Sequence, residues 1–424
     1  MRQAFPKLCY LVFSPHQLIA YYRSARRAWW VEWPYEPLGN WLKALWTLLR
    51  METRSSRRTC GAEGPPSLPE GARICVVRLG HLGDVLHAVP FARAVRRQRP
   101  DVLVDIVVGP WCEALAKRFD CFSQVWVYAP DFVQYHRGDR RGVRSQRMDR
   151  QFFRELREQR YFACLAASPT HVSEQIILRA CFPDIVFGAQ GGVAEIPVGS
   201  KDQRRPHEGR IYEAAWVSSF LADLGLEVES AMLEFPLTSE ERREASSLWG
   251  NRPRPWVILA PGAGWNGKRW PAERFAELGR QLFASRGASV ALIGSPSEKE
   301  IANVVEAGMR CPCLNVTGQT GLGVSAALIA AADLLVGNDS APIHFAAALG
   351  VPTVSLWGPT RPEKWAPQGP RHAVVRTPGA CAGCIYWHPQ SVCRGEPPCM
   401  TTIACEAVLS ECERMLGLLQ HNTC

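Results

Sequence analysis

The 424-residue sequence predicts an α/β protein with two Rossmann-like domains that face a central cleft. Near-continuous apolar segments alternate with helical segments, which is typical of a parallel sheet covered on both faces. This alternation runs twice along the chain without sequence repetition, which indicates two domains. In both halves a glycine-containing loop follows an apolar strand, at the place where open α/β sheets bind their ligands.

Residues 1–70 precede these domains and differ from them in composition. Five of the fifteen tryptophans lie within residues 29–46, mixed with arginine and lysine. Leucine and tryptophan recur at helical spacing over 38–49, and a helix of this kind can lie in a membrane interface. The same stripe can instead pack against the body of the protein. Residues 60–70 are rich in proline and glycine, so we expect an extension followed by a linker.

The two predicted domains span residues 71–235 and 236–424. In the first, strands are predicted at 73–80, 102–109, 125–128 and 161–168, and helices at 85–98 and 111–119. In the second, strands are predicted at 255–260, 289–295, 313–316, 333–336 and 353–359. Helices of the second domain are predicted at 272–286, 297–306, 322–332, after Ser340, and at 403–419, the last as a closing helix.

The charge balance limits the partners that we expect. The formal net charge of +9 is modest and suits an acidic partner such as a nucleotide, a phosphorylated glycan or an anionic membrane face. The sequence contains no zinc-finger or RNA-binding signature, so no nucleic-acid partner is predicted. No apolar run reaches 18 residues, and the short N-terminal run LCYLVF is broken at Ser14 and Pro15. We therefore expect a cytoplasmic protein with reduced thiols.

The first glycine loop carries a carboxylate at its tip. It consists of Gly80, His81, Leu82, Gly83 and Asp84, which is neither a dinucleotide fingerprint nor a P-loop. A carboxylate here would repel a phosphate but can act as a general base. It can also cap a helix that starts at the next residue. The residue types alone leave both interpretations open.

Several loops of the second half suit an anion. Gly262 and Gly264 allow a loop to wrap closely around a ligand, and Lys268 can neutralise phosphate charge. Ser340 is a plausible N-cap of a helix whose free N–H groups favour an anion. The positions in this half that can hold phosphate or sugar hydroxyls also include Glu298, Asp339, Ala341 and His344. The alternatives are an ordinary capped helix, a solvated Lys268–Arg269 pair, and a helix-terminal charge at Glu298.

Four motifs together resemble glycosyltransferase family 9, the ADP-heptose:lipopolysaccharide heptosyltransferases. They are RLGHLGDVLHAVP, PGAGWNGKRWP, LIGSPSEKE and VGNDSAPIHFAAALGVPTVSLWGPT, and the likeness runs from about Ala72 to Leu419. The resemblance implies a GT-B fold, an acceptor-binding N-terminal domain and an ADP-sugar-binding C-terminal domain. It also implies inverting transfer without a required cofactor. The arginine-rich stretch 134–150 lies outside it, and we expect a solvated or acceptor-facing loop there.

The resemblance assigns roles to individual residues. Asp84 matches the proposed catalytic base of the family, and Lys268 matches the basic residue that contacts the donor phosphate. Glu298 falls near the acid that binds ribose. The remaining matches to the donor site are Gly262, Gly264, Asp339, Ser340, Ala341 and His344, and on the acceptor side they are His81 and His87.

The predicted function is therefore transfer of a sugar, with heptose expected, from an ADP-sugar to a hydroxyl of a lipopolysaccharide-core-like or other glycan acceptor. A glycolipid acceptor would bring the enzyme to the inner face of an anionic membrane. One alternative is a GT-B-like nucleotide-sugar epimerase or hydrolase. Another is a non-catalytic nucleotide-sugar-binding protein, although the presence of both Asp84 and Lys268 argues against it.

Seven of the sixteen cysteines lie between positions 381 and 424. Cys381, Cys384, Cys393 and Cys399, with His388 as a substitute, are candidates for a structural zinc site. Their spacing is not that of a zinc finger, so free thiols or a disulfide are the alternatives. The scattered cysteines, such as Cys75, Cys164 and Cys181, are expected to be buried free thiols.

Overall fold

The computed structural model describes residues 68–128, 146–166, most of 177–187, 211–377 and 398–420. Three predicted features lie wholly or mostly outside the described residues. They are the extension up to residue 67, the part of the arginine-rich stretch up to residue 145, and the loop with Cys381, Cys384, His388 and Cys393. The chain divides into two compact units, the first made of residues 1–208 and 214–231 and the second of residues 209–213 and 232–424. No helix in the described part of the chain is long and apolar enough to cross a membrane.

The first unit contains a five-stranded, wholly parallel sheet in the order β3-β2-β1-β4-β5. Its strands are β1 (Arg73–Arg78), β2 (Leu103–Val108), β3 (Gln124–Val127), β4 (Ala163–Ala166) and β5 (Ile185–Phe187). Its helices are α1 (Leu82–Gln98), α2 (Glu113–Ala116), α3 (Gln146–Glu158) and most of α4 (Glu213–Asp223). The strands β1 and β2 are almost completely buried, which explains their near-continuous apolar sequences.

Helices α3 and α4 and strand β5 were not predicted. Helix α3 begins at Gln146, so the last residues of the stretch 134–150 are helical and do not form the expected loop.

Two predicted helices of the first unit also differ from the prediction. Helix α1 begins at Leu82 and not at residue 85, because the backbone of His81 is extended and takes the N-cap position. The helix predicted at 111–119 is one 3₁₀ turn, Pro110–Cys112, followed by the single turn α2. The chain turns after α2 because Phe119 and Phe122 are buried together, with ring centroids 6.3 Å apart.

The second unit contains a six-stranded parallel sheet in the order β11-β10-β9-β6-β7-β8. Its strands are β6 (Trp256–Ala260), β7 (Ser289–Leu292), β8 (Cys313–Asn315), β9 (Leu334–Asn338), β10 (Thr353–Trp357) and β11 (His372–Arg376). Its helices are α5 (Ser239–Trp249), α6 (Ala272–Arg286), α7 (Lys299–Met309), α8 (Leu322–Ala331), α9 (Ala341–Ala348), α10 (Pro362–Trp365), α11 (Pro398–Thr401) and α12 (Cys405–Gln420). The two parallel sheets confirm the predicted α/β class.

The second unit also differs from the prediction. Strand β11 and helices α5, α10 and α11 were not expected. The helix predicted at 297–306 is a 3₁₀ turn, Pro296–Glu298, that leads into α7. The closing helix starts at Cys405 and not at Ile403, because the Ile403 carbonyl accepts hydrogen bonds from the side chains of Trp270 and Arg274.

The hydrophobic core of the second unit joins its sheet to α6, α7 and α12. Strands β10, β9, β6 and β7 are successive neighbours and all run in the same direction. Their carboxyl ends therefore lie along one edge of the sheet. The loops that follow residues 260, 292, 338 and 357 meet at this edge, and they carry most of the predicted donor-side residues.

Candidate functional site

A buried ion pair lies at this edge of the second sheet. The Lys268 Nζ atom is 2.7 Å from Oδ2 of Asp339, and the Thr360 hydroxyl donates to the same oxygen at 2.6 Å. Asp339 is only 7% exposed and Thr360 only 4% exposed. The structure thus brings together the loops after β6, β9 and β10, and it places two predicted residues in direct contact.

The electrostatics of this cluster favour the charged form of Asp339. Burial opposes its ionisation, but the Lys268 ammonium, the Thr360 hydroxyl and the charge of His344 hold the pKa of the carboxyl below its ordinary value. His344 is itself buried in the first turn of α9. The net result is a carboxylate that fixes a lysine at the edge of the sheet.

Asn338, which was not predicted as a site residue, joins two strand-end loops. This fully buried side chain accepts a hydrogen bond from the Trp270 backbone N–H at 2.9 Å. Its amide nitrogen donates to the Pro261 carbonyl at 2.8 Å. The Trp270 indole in turn donates to the Ile403 carbonyl at 3.0 Å. Asn338 therefore holds the glycine loop and the Lys268 segment in one arrangement.

The glycine loop is shaped by its neighbour Glu298. A Cβ atom on Gly262 would lie 2.0 Å from Glu298 Oε1, so a larger residue at this position would displace the Glu298 side chain. The other carboxylate oxygen of Glu298 accepts the backbone N–H of Ser295 at 2.7 Å and its hydroxyl at 2.8 Å. A Cβ atom on Gly264 would meet nothing within 4 Å, which leaves open space beside the loop. Glu298 therefore both closes a turn and lies against the loop.

Arg269 also supports this loop. Its guanidinium donates two hydrogen bonds to the Ala263 carbonyl, at 3.1 and 2.8 Å. The alternative in which Lys268 and Arg269 form a solvated pair is therefore wrong, because each binds a specific acceptor. Lys268 faces Asp339 and Arg269 faces the loop backbone.

The N-terminus of α9 lies next to the ion pair in sequence. Ser340 occupies the N-cap position as predicted, but its hydroxyl donates weakly to the Asn338 carbonyl at 3.3 Å and does not accept from the helix. The first-turn N–H groups of α9 consequently have no side-chain cap from Ser340. A helix start of this kind favours an anion through its N–H groups and its dipole.

In the first unit, Asp84 lies at the third position of α1 and not at its N-cap. Its Oδ2 accepts the His81 backbone N–H at 2.5 Å. A Cβ atom on Gly80 would lie 2.2 Å from the same oxygen, so a larger residue here would displace the Asp84 carboxylate. The Gly80 carbonyl accepts the Trp111 indole N–H at 2.6 Å. The glycine corner thus presents a half-buried carboxylate whose described hydrogen bond is to a backbone donor.

The two histidines of this turn differ in exposure. His81 is exposed, whereas His87 is fully buried. Contact of His87 with an acceptor would require a rearrangement of the helix. His81 is therefore the better placed of the two for acceptor binding.

Only part of the predicted cysteine set can be located. Cys399 is buried in α11, and its predicted companions lie outside the described residues. Among the residues that the structure describes, one group of three or more potential metal ligands is close together, namely Cys75, Cys164 and Cys181 in the first unit. The described strand ends of the second unit contain no such group.

Comparison with known proteins identifies the class of enzyme. The model of glycosyltransferase family 9 (heptosyltransferase) matches residues 150–386, which is more than half of the chain. The chain belongs to this family, and the predicted family and enzyme class, a glycosyltransferase, are confirmed. Sugar transfer is therefore its activity.

Two of the curated proteins that are similar to this chain are lipopolysaccharide heptosyltransferases. Lipopolysaccharide heptosyltransferase 2 of Salmonella typhimurium is 27% identical over 323 residues, covering 72% of this chain and 88% of that protein. Lipopolysaccharide heptosyltransferase 1 of Pseudomonas aeruginosa is 26% identical over 360 residues, covering 81% and 98%. These relatives are matched over nearly their whole length.

Solved structures share the fold. The family 9 glycosyltransferase of Veillonella parvula matches with a TM-score of 0.66 and 22% identity, covering 82% of this chain and 98% of that one. The ADP-heptose lipopolysaccharide heptosyltransferase II of E. coli matches with a TM-score of 0.58 and 22% identity, covering 82% and 99%. The predicted GT-B fold is thereby confirmed.

Proposed function

We propose that this protein is an inverting heptosyltransferase that transfers heptose from ADP-heptose to a hydroxyl of a lipopolysaccharide-core acceptor. The observation that carries the proposal is the Lys268–Asp339 pair beside the N-terminus of α9 and the glycine loop. The names of the curated relatives supply the acceptor class. Two E. coli heptosyltransferase structures, one with ADP and one with an ADP-heptose analogue, supply the donor class.

The donor is proposed to bind the second unit, residues 236–424 of the predicted domain division. The diphosphate would lie at the N-terminus of α9, at Ser340 and Ala341, where helix N–H groups and the Lys268 ammonium both favour negative charge. An ammonium group has three N–H donors, so Lys268 can keep its bond to Asp339 while it binds a phosphate oxygen. Glu298 is positioned for ribose hydroxyls, and His344 for the sugar or diphosphate.

The acceptor is proposed to bind the first unit, with Asp84 as the general base. As the acceptor oxygen bonds to the anomeric carbon, its proton passes to Asp84 and the bond from that carbon to the diphosphate oxygen breaks. Attack from the face opposite the leaving group inverts the configuration. ADP leaves with the bonding electron pair, and Lys268 and α9 stabilise that charge, so the mechanism needs no metal.

The decisive experiment measures ADP release from ADP-heptose with and without a heptose-deficient lipopolysaccharide acceptor. We expect release that depends on the acceptor, together with a product whose mass has increased by one heptose. Release without an acceptor would favour the hydrolase, and conversion of the sugar alone would favour the epimerase. Binding of ADP-heptose without turnover would favour the binding protein.

We also propose peripheral contact of the N-terminal extension with the anionic inner face of the membrane, and a cytoplasmic location stays a prediction. The arginine and tryptophan composition of residues 1–60 supports the contact. Deletion of these residues should reduce co-sedimentation with anionic liposomes and preserve turnover of a delipidated acceptor. An insoluble or inactive truncation would show instead that the segment packs on the enzyme.

A further inference from the structure

Three buried thiols of the first unit converge on one face of its sheet. Cys75 on β1 is paired directly with Cys164 on its parallel neighbour β4, so their side chains lie on the same face. Cys181 belongs to the helical residues that follow position 177. The three Sγ atoms all lie within 4.8 Å of one another, and each residue is at most 1% exposed. Burial of these cysteines was expected from the sequence, but their convergence was not.

The separation of the sulfurs is close to that of a metal site. Zinc bound tetrahedrally at about 2.3 Å from each thiolate holds its sulfurs about 3.8 Å apart. The three sulfurs therefore need to approach by at most about 1 Å, which is within the reach of cysteine rotamers. Ten cysteines lie in the described part of the chain, and no other three of them share this spacing.

A buried carboxylate lies in the same row of the sheet. Asp105 on β2 is paired with Cys75 on β1 and is fully buried. Its Oδ2 accepts from Arg73 at 2.7 Å and from the Tyr161 hydroxyl at 2.8 Å. Its Oδ1 has no hydrogen-bond partner among the described atoms. A cation bound at the thiols would therefore lie in a part of the core that already holds a buried carboxylate.

We propose that Cys75, Cys164 and Cys181 bind a structural Zn²⁺ ion in the core of the first unit, as three of its ligands. Binding forms three Zn–S bonds and releases to solvent the protons of the thiols that were protonated. The ion offsets two of the three thiolate charges, and Arg73 remains paired with Asp105. The site would link β1, β4 and the helical segment at Cys181, and it is separate from the cysteines after residue 380.

The test measures the metal content of the full-length protein by mass spectrometry after purification with zinc and dialysis. A Cys381→Ser/Cys384→Ser/Cys393→Ser/Cys399→Ser background, used here and in the cobalt titration below, removes the four C-terminal candidate ligands as an alternative zinc site. In that background we expect about one zinc per chain, lost in Cys164→Ser and kept in Cys121→Ser, a buried cysteine of the same unit outside the cluster. Equal zinc in the Cys164→Ser and Cys121→Ser proteins would overturn the proposal.

A second measurement requires no substitution in the cluster. Titration of the Cys381→Ser/Cys384→Ser/Cys393→Ser/Cys399→Ser protein with Co²⁺ should produce thiolate-to-cobalt charge-transfer absorption at one equivalent, and added zinc should abolish it. No absorption change in excess cobalt would overturn the proposal even if Cys164→Ser failed to fold. So would a disulfide among the three cysteines, detected by alkylation and peptide mass mapping of the unreduced protein.

Discussion

Each of the two units buries one aspartate that accepts hydrogen bonds from a cation and a hydroxyl, but the two aspartates lie at different places in their sheets. In the first unit, Asp105 lies in the middle of β2 and accepts from Arg73 and Tyr161. The surrounding residues belong to a packed core with three converging thiols. Asp105 itself is fully buried, although the Arg73 side chain is 23% exposed.

In the second unit, Asp339 directly follows β9 and accepts from Lys268 and Thr360. A glycine loop and the start of α9 adjoin it. A buried ion pair is therefore not by itself a sign of an active site, since such pairs often only break even in stability. What distinguishes Asp339 is its position at the carboxyl end of a parallel strand, where a ligand can reach its lysine.

Asp84 in the first unit is a third carboxylate, and its surroundings differ from those of Asp105 and Asp339. Asp84 accepts a backbone N–H and, among the described residues, forms no ion pair. Of the three it is the one without a cationic partner among the described residues, which suits a general base. The predictions below follow from these different surroundings, beginning with the largest expected effect.

The largest effect is expected for Asp84→Asn. Asparagine keeps an oxygen that can accept the His81 N–H, so the melting temperature should change little. Turnover should fall about 10²–10⁴-fold, since asparagine cannot take the acceptor proton. Steady-state kinetics and thermal unfolding of the same preparation measure both. A fully active variant would remove Asp84 from catalysis and direct attention to the exposed His81.

Lys268→Ala should lower kcat by about 10²–10³-fold, or about 3–4 kcal/mol, if Lys268 stabilises the departing diphosphate. The variant should also lose stability, because Asp339 keeps only Thr360 and His344 around its buried charge. Lys268→Arg serves as the matched control, because it preserves the positive charge. Equal activity of the wild type, Lys268→Ala and Lys268→Arg would show that Lys268 does not take part in the reaction.

Arg73→Met should destabilise the first unit by about 3 kcal/mol, the lower end of the range for broken buried pairs, because the Arg73 side chain is 23% exposed. Chemical denaturation measures this loss. Surviving enzyme molecules should bind ADP normally, in contrast to those with Lys268→Ala. Weakened ADP binding by Arg73→Met would contradict the structural role assigned to the Asp105 pair.

A smaller effect should accompany acidification. The pKa of Asp339 is lowered in the folded protein, so its ion pair contributes stability that is fully present above about pH 4, the value of an unfolded aspartate. This contribution is lost as the pH falls through the lower folded pKa. Asp339→Asn should flatten this part of the stability–pH curve. An unchanged stability–pH curve in Asp339→Asn would show that the Lys268–Asp339 pair does not contribute to stability.

The sequence predicted the strand-end arrangement well, because parallel strands and their loops have strong local signals. Lys268 and Asp339 were both identified, and the parallel topology explains why they meet across 71 residues. Asn338 and Thr360 were missed. Asn338 could have been found, because an asparagine at the end of an apolar strand indicates a buried polar contact. The Thr360 contact could not, because it depends on the pairing of β10 with β9.

Other features depended on contacts that no local pattern encodes. The capping interpretation placed Asp84 at the N-cap of a helix that starts at Val85. Asp84 is instead the third residue of the helix, because the extended His81 backbone moves the helix start to Leu82. His87 has a polar side chain yet is fully buried. The meeting of Cys75, Cys164 and Cys181 requires the register of β1 with β4, which the sequence does not specify.

The most direct test of the central claim compares ADP affinity between the two ion pairs. Isothermal titration calorimetry should be performed on the wild type, Lys268→Ala and Arg73→Met at a temperature where all three are folded. We expect the dissociation constant for ADP to rise at least about tenfold in Lys268→Ala and to stay at the wild-type value in Arg73→Met. Unchanged affinity in Lys268→Ala, or an equal loss in both variants, would contradict the assignment of the donor site to the strand ends of the second unit.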